Sequence, residues 1–339
     1  MNPAAVNSLS LPATCRLFAA LRCTVPLMFV LMFLLLSSHT SSADELTVVR
    51  YTNLWTESPA RIADAAAVTW LPKRGHLLIS DSEISEYGSM TDPQTGQPVF
   101  QGSNLFEVSL DAQQVFGRWM IVPPETSASE PVGLAWHPEL DRLFVSNDDQ
   151  RRLYCYQLPA EGKLIAVSSI STNAGDDDYS DPEGLACDPT TGAIWVVSGT
   201  QRERVIRFRF DQSTRQFAYT SEFSLDGHIR DPEGIAIHPP SGDLFLISSR
   251  SIARFTADGR FLQSFPCGQI SGWRSDFRLP GGATFAPSSA PDDDADTLSL
   301  YVTCRGIDNG QFPQKNSLDG GLVELRLTPA AQGSGDASP

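Results

Sequence analysis

The sequence predicts an all-β fold made of repeated four-stranded units. Three observations support it. Five similar segments begin about 50 residues apart, further short apolar runs follow each segment, and turn-forming residues separate the runs. Short strands at even spacing are the pattern of a β-propeller in which each repeat forms one blade. We therefore expect a propeller of five blades, with six as the alternative because the first interval is the longest.

The repeated segment opens each predicted blade and is rich in small residues. Its copies span residues 64–72, 130–138, 181–189, 231–239 and 279–287. The first strand of a blade lines the crowded axis, so residues such as Gly184 and Ala186 suit it. Neighbouring blades cover both faces of the second strand, which favours continuous apolar runs such as Ile194–Val197.

The two ends of the predicted propeller complete one blade between them. The fifth repeat lacks a fourth strand, and an unassigned strand, Glu45–Tyr51, precedes the first repeat. We expect this N-terminal strand to close the last blade, because closure removes an open sheet edge. The long first interval is interpreted as an insertion, Tyr87–Ser103, between the second and third strands of blade 1.

The first 43 residues have the features of a signal peptide. Arg16 and Arg22 precede the apolar run Pro26–Leu36, which is too short for a span of about 20 residues. Ser41, Ser42 and Ala43 then resemble a small-residue cleavage site. We expect a signal peptide at 1–43, a propeller at 44–328, a flexible tail at 329–339, and a secreted or periplasmic protein without a stable membrane span. An uncleaved anchor is the alternative.

The net charge of −15 argues against nucleic acid and anionic membranes as partners. It is compatible with cation binding, and we expect a monomer. Four cysteines follow the predicted signal peptide, and they are Cys155, Cys187, Cys267 and Cys304. They contain no CxxC spacing, so a zinc ribbon is disfavoured. Export would permit disulfides, and buried thiols are the equal alternative.

Two repeats carry a carboxylate where the fold does not require one. The turn Pro-x-Gly opens four of the five segments, and x is Glu183 in the third and Glu233 in the fourth. Pro and Gly suit the backbone of the turn. The x residue is the first to face the axis, so these glutamates are expected at one mouth of the channel. Asp181 and Asp231 precede the same turns and are interpreted as caps.

The second strands of the first two blades end at the same mouth, with Asp81 and Asn147. Four consecutive blades would then offer Asp81, Asn147, Glu183 and Glu233 as oxygen ligands, a donor set that suits Ca²⁺, with Mg²⁺ as the lesser choice. A bound cation would relieve the repulsion between carboxylates. A solvated acidic funnel and a paired-carboxylate acid/base site without metal are the alternatives.

Other charged residues near this mouth have weaker assignments. Four acids just past second strands could face a substrate, namely Glu83, Asp148, Asp149 and Asp308. Arg305 could balance the negative charge of the four predicted ligands or hold an anionic substrate. His228 is the one histidine expected near the mouth, and it is a weak candidate for a general base. The acidic runs Asp176–Asp178 and Asp292–Asp294 are interpreted as loop features.

Several segments resemble bacterial NHL and SdiA-regulated-type propellers. The strand–turn–strand unit at 251–265, the segment 130–138 and both Asp-Pro-Glu-Gly copies carry the resemblance. The sequence is also similar, more distantly, to SMP-30/gluconolactonase propellers, and members of that family hold a metal at the channel mouth. The resemblance implies the fold and does not transfer a catalytic residue, because one scaffold hosts many activities.

Three functions follow from these observations. The first is an exported propeller that binds a small molecule or a protein at the acidic mouth, with a divalent cation. The second is a metal-dependent hydrolase of lactonase or phosphoesterase type. The third is a metal-free protein–protein scaffold. The sequence contains no G-x-S-x-G, HExxH or Gly-rich phosphate loop, which disfavours serine hydrolases and P-loop enzymes.

Overall fold

The structure is a computed structural model, and it describes residues 43–83, 89–123, 130–160, 163–172, 181–199, 203–306 and 318–329. Nearly all of the predicted signal peptide and tail, the run Asp176–Asp178 and Asp308 lie outside these residues. The boundaries 1–43 and 329–339 therefore stay predictions.

In the described part of the chain the strands form five antiparallel sheets of four. Strand β1 (Glu45–Asn53) comes first. Blade 1 consists of β2 (Ala65–Leu71), β3 (His76–Asp81), β4 (Leu105–Val108) and β5 (Val115–Trp119). Blade 2 consists of β6 (Pro131–His137), β7 (Arg142–Asn147), β8 (Arg152–Gln157) and β9 (Ile165–Ser171). Blade 3 consists of β10 (Pro182–Cys187), β11 (Ala193–Ser198), β12 (Arg204–Asp211) and β13 (Gln216–Ser224).

Blades 4 and 5 complete the ring. Blade 4 consists of β14 (Pro232–Ile237), β15 (Leu244–Ser248), β16 (Ser251–Phe255) and β17 (Phe261–Pro266), and a 3₁₀ helix, Cys267–Gln269, follows it. Blade 5 consists of β18 (Pro280–Pro287), β19 (Leu298–Cys304), β20 (Gly321–Thr328) and the returning β1. The first strands of neighbouring blades contact one another around the whole ring. The five-bladed propeller predicted from the repeats is confirmed.

Strand β1 closes blade 5, as the sequence predicts. It pairs antiparallel with β20, from Glu45 opposite Thr328 to Asn53 opposite Gly321. Blade 5 therefore joins the two ends of the propeller and has no gap where the missing fourth strand would be. The predicted insertion also lies where expected, between β3 and β4.

The core consists of apolar clusters between adjacent blades. In the cluster between blades 2 and 3, Phe144 of β7 packs with Phe208 of β12, and both side chains are fully buried. Strand β11 is buried along its whole length, because blades on either side cover both faces. This burial is the physical reason for the continuous apolar runs of the second strands.

Glycines allow the first strands to converge at the axis. A Cβ atom on Gly184 would lie 2.4 Å from the Cα atom of Gly234. A Cβ atom on Gly234 would lie 2.1 Å from the carbonyl oxygen of Gly281. Neighbouring strands therefore touch backbone to backbone, and Cα atoms of β10 and β18, from non-adjacent blades, come within 8 Å. We call this narrow level of the axis the glycine waist.

Every first strand contains an irregularity of the β-bulge type near its start. In β10 the register shifts between Pro182 and Leu185, and in β14 between Pro232 and Gly234. Glu183 and Glu233 lie within these bulges. A bulge leaves a residue outside the regular hydrogen-bonding pattern of the two strands and changes the direction of its side chain. The bulges therefore present the x residue of the Pro-x-Gly turn at the mouth.

The four described cysteines are free thiols. Burial raises the pKa of Cys155 and of Cys187 to about 12, and that of Cys267 to about 11. Burial also raises the pKa of Cys304. The sequence left disulfides and buried thiols as equal alternatives, and the structure has thiols. These thiols are protonated at neutral pH.

Candidate functional site

Glu183 lies beside two aspartates at the junction of blades 2 and 3. Asp148 directly follows β7, and Asp181 directly precedes β10. One carboxylate oxygen from each of the three residues lies within 4.8 Å of those from the other two. We call Asp148, Asp181 and Glu183 the acidic cluster. Two of its members come from one Asp-Pro-Glu-Gly turn, and the third comes from the neighbouring blade.

Backbone contacts hold the turn that carries the cluster. The amide of Asp181 donates to Oγ of Ser198 at 3.2 Å, and the amide of Gly199 donates to the carbonyl oxygen of Asp181 at 3.1 Å. Oγ of Ser146 in blade 2 donates to the carbonyl oxygen of Glu183 at 2.5 Å. These bonds fix Asp181 and Glu183 relative to both blades.

Gly199 leaves room for the two side chains of the turn. A Cβ atom there would lie 3.4 Å from Cγ of Glu183 and 3.6 Å from Oδ2 of Asp181. A small residue at the end of β11 thus lets the carboxylates lie against the strand end. Gly199 is not among the site residues predicted from the sequence.

Two members of the acidic cluster, Asp148 and Glu183, have raised pKa values. Burial is the largest cause that raises the pKa of Glu183, and the charges of Glu233, Asp148 and Asp181 add to it. Burial also raises the pKa of Asp148, to about 8. Two unit charges 4 Å apart repel by about 4 kcal/mol at an effective dielectric constant of 20. Asp148 and Glu183 therefore favour the protonated form at neutral pH unless a cation replaces the protons.

Glu233 lies in the equivalent bulge of blade 4 and is half-buried like Glu183. Burial raises its pKa to about 7, the charge of Arg305 opposes this rise, and Asp231, Asp181 and Asp64 add to it. The backbone at Asp231 has a φ of 51°, which is uncommon for a residue other than glycine. Leu279, the first residue of the fifth repeated segment, also has a positive φ of 40°, so two copies of the repeat share this backbone conformation.

Arg305 follows β19 and forms ion pairs with acids of blade 1. Its Nη2 atom contacts Oε1 of Glu83, and its Nε atom lies 3.4 Å from Oδ2 of Asp64. Burial alone would lower the pKa of Arg305, but the charges of Asp64, Glu83, Glu233 and Glu183 outweigh it and raise the pKa. Arg305 is thus an ion-pair partner of Asp64 and Glu83, which are not among the four predicted ligands, and its two predicted roles stay predictions.

The structure engages Asp81 and Asn147 in local hydrogen bonds. Oδ1 of Asp81 accepts from the amide of Asp64 at 3.0 Å, and Oδ1 of Asn147 accepts from the amide of Gln150 at 2.9 Å. Both side chains are buried. Nδ2 of Asn147 has no hydrogen-bond partner among the described residues. The assignment of both residues as metal ligands stays a prediction, and the oxygens that converge belong to the acidic cluster.

His228 packs away from the convergent carboxylates. Its ring stacks on that of Phe261 in β17, the outermost strand of blade 4, with centroids 4.1 Å apart and 4° between the planes. Its ring also meets Phe255 edge-on. This packing gives His228 a structural role at the outer side of the blade, and its assignment as a weak candidate base stays a prediction.

Sequence reasoning undervalued two members of the acidic cluster. Asp148 was one of four acids expected near the mouth, and Asp181 was expected only to cap its turn. A signal existed, because Asp148 directly follows a predicted second strand and Asp181 opens the neighbouring first strand. Those strand ends meet at one mouth of a propeller.

The donor set fits a hard cation. The three members of the cluster are carboxylates, and Ca²⁺ and Mg²⁺ prefer oxygen ligands. Nδ2 of Asn147, next in sequence to Asp148, is a buried donor without a hydrogen-bond partner among the described residues. The three carboxylates suit a cation that also takes oxygen ligands from water or from a bound molecule.

Within the described part of the chain, no helix has the length and apolar character needed to cross a membrane. No protein-family model matches the chain, and no curated protein matches it either.

Solved structures share parts of the architecture at low similarity. A hydrazine synthase from Kuenenia stuttgartiensis is 17% identical with a TM-score of 0.37, and the match covers 72% of this chain and 63% of that one. The chain thus spans less than two thirds of that protein. A luciferin-regenerating enzyme is 11% identical with a TM-score of 0.45, covering 84% of this chain and 97% of that one.

A gluconolactonase from Xanthomonas campestris is 12% identical with a TM-score of 0.43, and the match covers 84% of this chain and 95% of that one. The structural neighbours thus include a gluconolactonase, the class to which the sequence shows a distant resemblance. The NHL and SdiA-regulated assignments stay predictions. Similarity at this level does not transfer an activity, so the chemistry must be argued from the acidic cluster.

Proposed function

We propose that the protein is an exported β-propeller that binds Ca²⁺ at its acidic mouth and holds a small molecule or a protein partner there. The convergence of Asp148, Asp181 and Glu183 carries this proposal. Ca²⁺ takes six to eight oxygen ligands in flexible geometry. Three carboxylates would supply part of that shell and leave positions for water and for oxygens of the bound partner.

The electrostatics favour a cation over an empty site. The raised pKa values of Asp148 and Glu183 are the cost of gathering carboxylates in a partly buried place. A divalent cation would remove that cost and displace the protons. Glu233 is the carboxylate whose charge acts most on Glu183, so it would strengthen binding from the next blade.

Calorimetric titration of the purified protein with Ca²⁺ and with Mg²⁺ tests the proposal. We expect saturable binding of one Ca²⁺, weaker Mg²⁺ binding, and a rise of at least about 2 °C in melting temperature at saturation. Asp148→Asn and Glu183→Gln should weaken binding at least about tenfold. Glu139→Gln, which alters an exposed acid in the turn between β6 and β7, is the matched control. Equal binding by all variants would contradict the proposal.

A metal-dependent hydrolase of lactonase or phosphoesterase type is the second candidate. The observation in its favour is Glu233, whose pKa of about 7 suits a general base at neutral pH. Turnover of lactones, aryl esters or phosphoesters that is lost in Glu233→Gln and in chelator would support the hydrolase. Bound Ca²⁺ without turnover would support the binding protein, and a melting temperature indifferent to Ca²⁺ and chelator would support a metal-free scaffold.

A further inference from the structure

The opposite end of the channel contains an apolar pocket of about 310 Å³. It lies beyond the glycine waist, where the first strands end and turn into the second strands. The structure describes all five of these turns. The pocket shares no lining residue with the acidic cluster, so what binds there is independent of the proposed function.

Every blade contributes several residues to the pocket wall. The seventh residue of each repeated segment lines the pocket in all five blades. We call these residues the far-mouth ring, and they are Trp70, Trp136, Cys187, Ile237 and Phe285. Three aromatic members come from consecutive blades 5, 1 and 2, which places an aromatic arc on one side of the pocket. The smaller Cys187 and Ile237 leave space on the other side.

The pocket offers few polar groups and no basic side chain. No Lys or Arg occurs among its described lining residues. Oγ1 of Thr69 already accepts from the amide of Trp136 at 3.1 Å. Asp188 accepts from the amide of Thr190 at 2.8 Å and from the hydroxyl of Thr191. Burial and the Asp188 charge raise the pKa of Cys187 to about 12, so this thiol is neutral.

The size of the pocket limits its occupant. An apolar cavity of about 150 Å³ accommodates a single benzene ring, and small-molecule pockets begin at about 300 Å³. A sugar would need more free hydrogen-bonding groups than the wall provides, and an anion would meet Asp188 without a compensating cation. The lining therefore suits a compact molecule with one or two rings and no charge.

We propose that the far-mouth ring binds a neutral aromatic small molecule of one or two rings. Stacking on the aromatic arc and burial of apolar area supply the affinity. Cys187 is the position that sets the available room, because the same repeat position holds Trp in blades 1 and 2. Substitution of Cys187 by Trp would fill the pocket with a residue that this repeat position already accommodates.

Titration with 6-propionyl-2-(dimethylamino)naphthalene, a neutral two-ring probe whose fluorescence responds to apolar surroundings, tests the proposal. We expect saturable binding of one probe, energy transfer from tryptophan, and displacement by indole. Cys187→Trp should weaken binding at least about tenfold. Thr284→Leu, which narrows the pocket from blade 5, provides a second variant should the first not fold.

Two controls and three outcomes decide the test. Gln216→Trp adds a tryptophan on the outer strand β13, and Glu183→Gln alters the acidic mouth, and neither should change probe binding. Absence of saturable binding would overturn the proposal, and so would binding that both pocket variants leave unchanged. Displacement by glucose or tetramethylammonium but not by indole would overturn the ligand class.

Discussion

A carboxylate oxygen of Asp148 in blade 2 lies within 4.8 Å of a carboxylate oxygen of Asp181, across the boundary between blades 2 and 3. Burial and the neighbouring carboxylates raise the pKa of Asp148 to about 8. At neutral pH this residue therefore favours the protonated form, and a cation could replace the proton. Stability, pH and Ca²⁺ are expected to be linked through this contact.

Asp148→Asn should have opposite effects with and without Ca²⁺. In chelator the substitution removes a charge from a crowded site, so we expect an unchanged or higher melting temperature at pH 8. In millimolar Ca²⁺ the variant should lack most of the Ca²⁺-dependent rise seen in the wild type. Differential scanning fluorimetry in both buffers measures both effects. A variant that retains the full rise would show that Asp148 does not ligate the ion.

The metal-free protein should lose stability as pH rises from about 5 to 8. The folded-state pKa values of Asp148, about 8, and Glu233, about 7, exceed those of unfolded carboxyls, about 4. The folded protein thus binds more protons in this window, and linkage makes the free energy of unfolding fall with rising pH. Melting temperatures in chelator across the window test this, and saturating Ca²⁺ should flatten the profile. A rise in stability with pH in chelator would contradict the assignment.

Arg305→Met should destabilise the protein by about 3 kcal/mol or more. The guanidinium is the ion-pair partner of Asp64 and Glu83, both buried, and loss of one member of a buried pair leaves an uncompensated charge. Arg274→Met removes an ion pair with Asp276 that is exposed to solvent, so it should change the stability much less. Urea unfolding measures the free energy of unfolding of both variants. Equal losses would argue against a stabilising role for the ion pairs of Arg305 with Asp64 and Glu83.

Gly234→Ala should strain the glycine waist. The new methyl group would lie 2.1 Å from the carbonyl oxygen of Gly281, which belongs to a neighbouring backbone that cannot move alone. We expect a loss of about 2 kcal/mol or more, as for overpacked cores. Gly268→Ala meets no atom within 4 Å and is the matched control. Thermal unfolding measures both, and a harmless Gly234→Ala would show that the first strands can separate.

The four described cysteines should resist alkylation in the folded protein. Cys155, Cys267 and Cys304 are buried, and the pKa of every thiol is raised. Reaction with iodoacetamide should therefore be slow until urea unfolds the chain, and then all four should react. Peptide mass mapping checks this, and fewer than four reactive thiols after unfolding would reveal a disulfide.

The sequence predicted the ring because the first strands repeat a physical requirement. Gly184 and Gly234 must be small where backbones touch, and Ile194–Val197 must be apolar where both faces are covered, so the pattern survives in every blade. The closing strand could be predicted because the fifth repeat lacks a fourth strand and an unassigned strand precedes the first repeat. These constraints act on the residue at the repeat position itself, so they are visible without a structure.

The site was less predictable because it depends on distances between blades. Glu183 and Glu233 stood out, since nothing in the turn requires a carboxylate. The role of Asp148 depends on how closely the end of β7 approaches Asp181, and Asp81 turned out to bind the amide of Asp64. Spacing along the chain contains no measure of either distance. The far-mouth ring was not predicted, because apolar side chains at a repeat position do not show in the sequence whether they line a pocket or the core.

The pairing of β1 with β20 has a mechanical consequence. Glu45 and Thr328 are opposite each other at one end of the β1–β20 pair, and Asn53 and Gly321 are opposite each other at the other end. Because Glu45 and Thr328 lie at the same end of the pair, a force that pulls them apart acts across the strands. It would break the paired residues one after another instead of all together. The propeller should therefore open at blade 5 under low force, and the other four blades would come apart only afterwards.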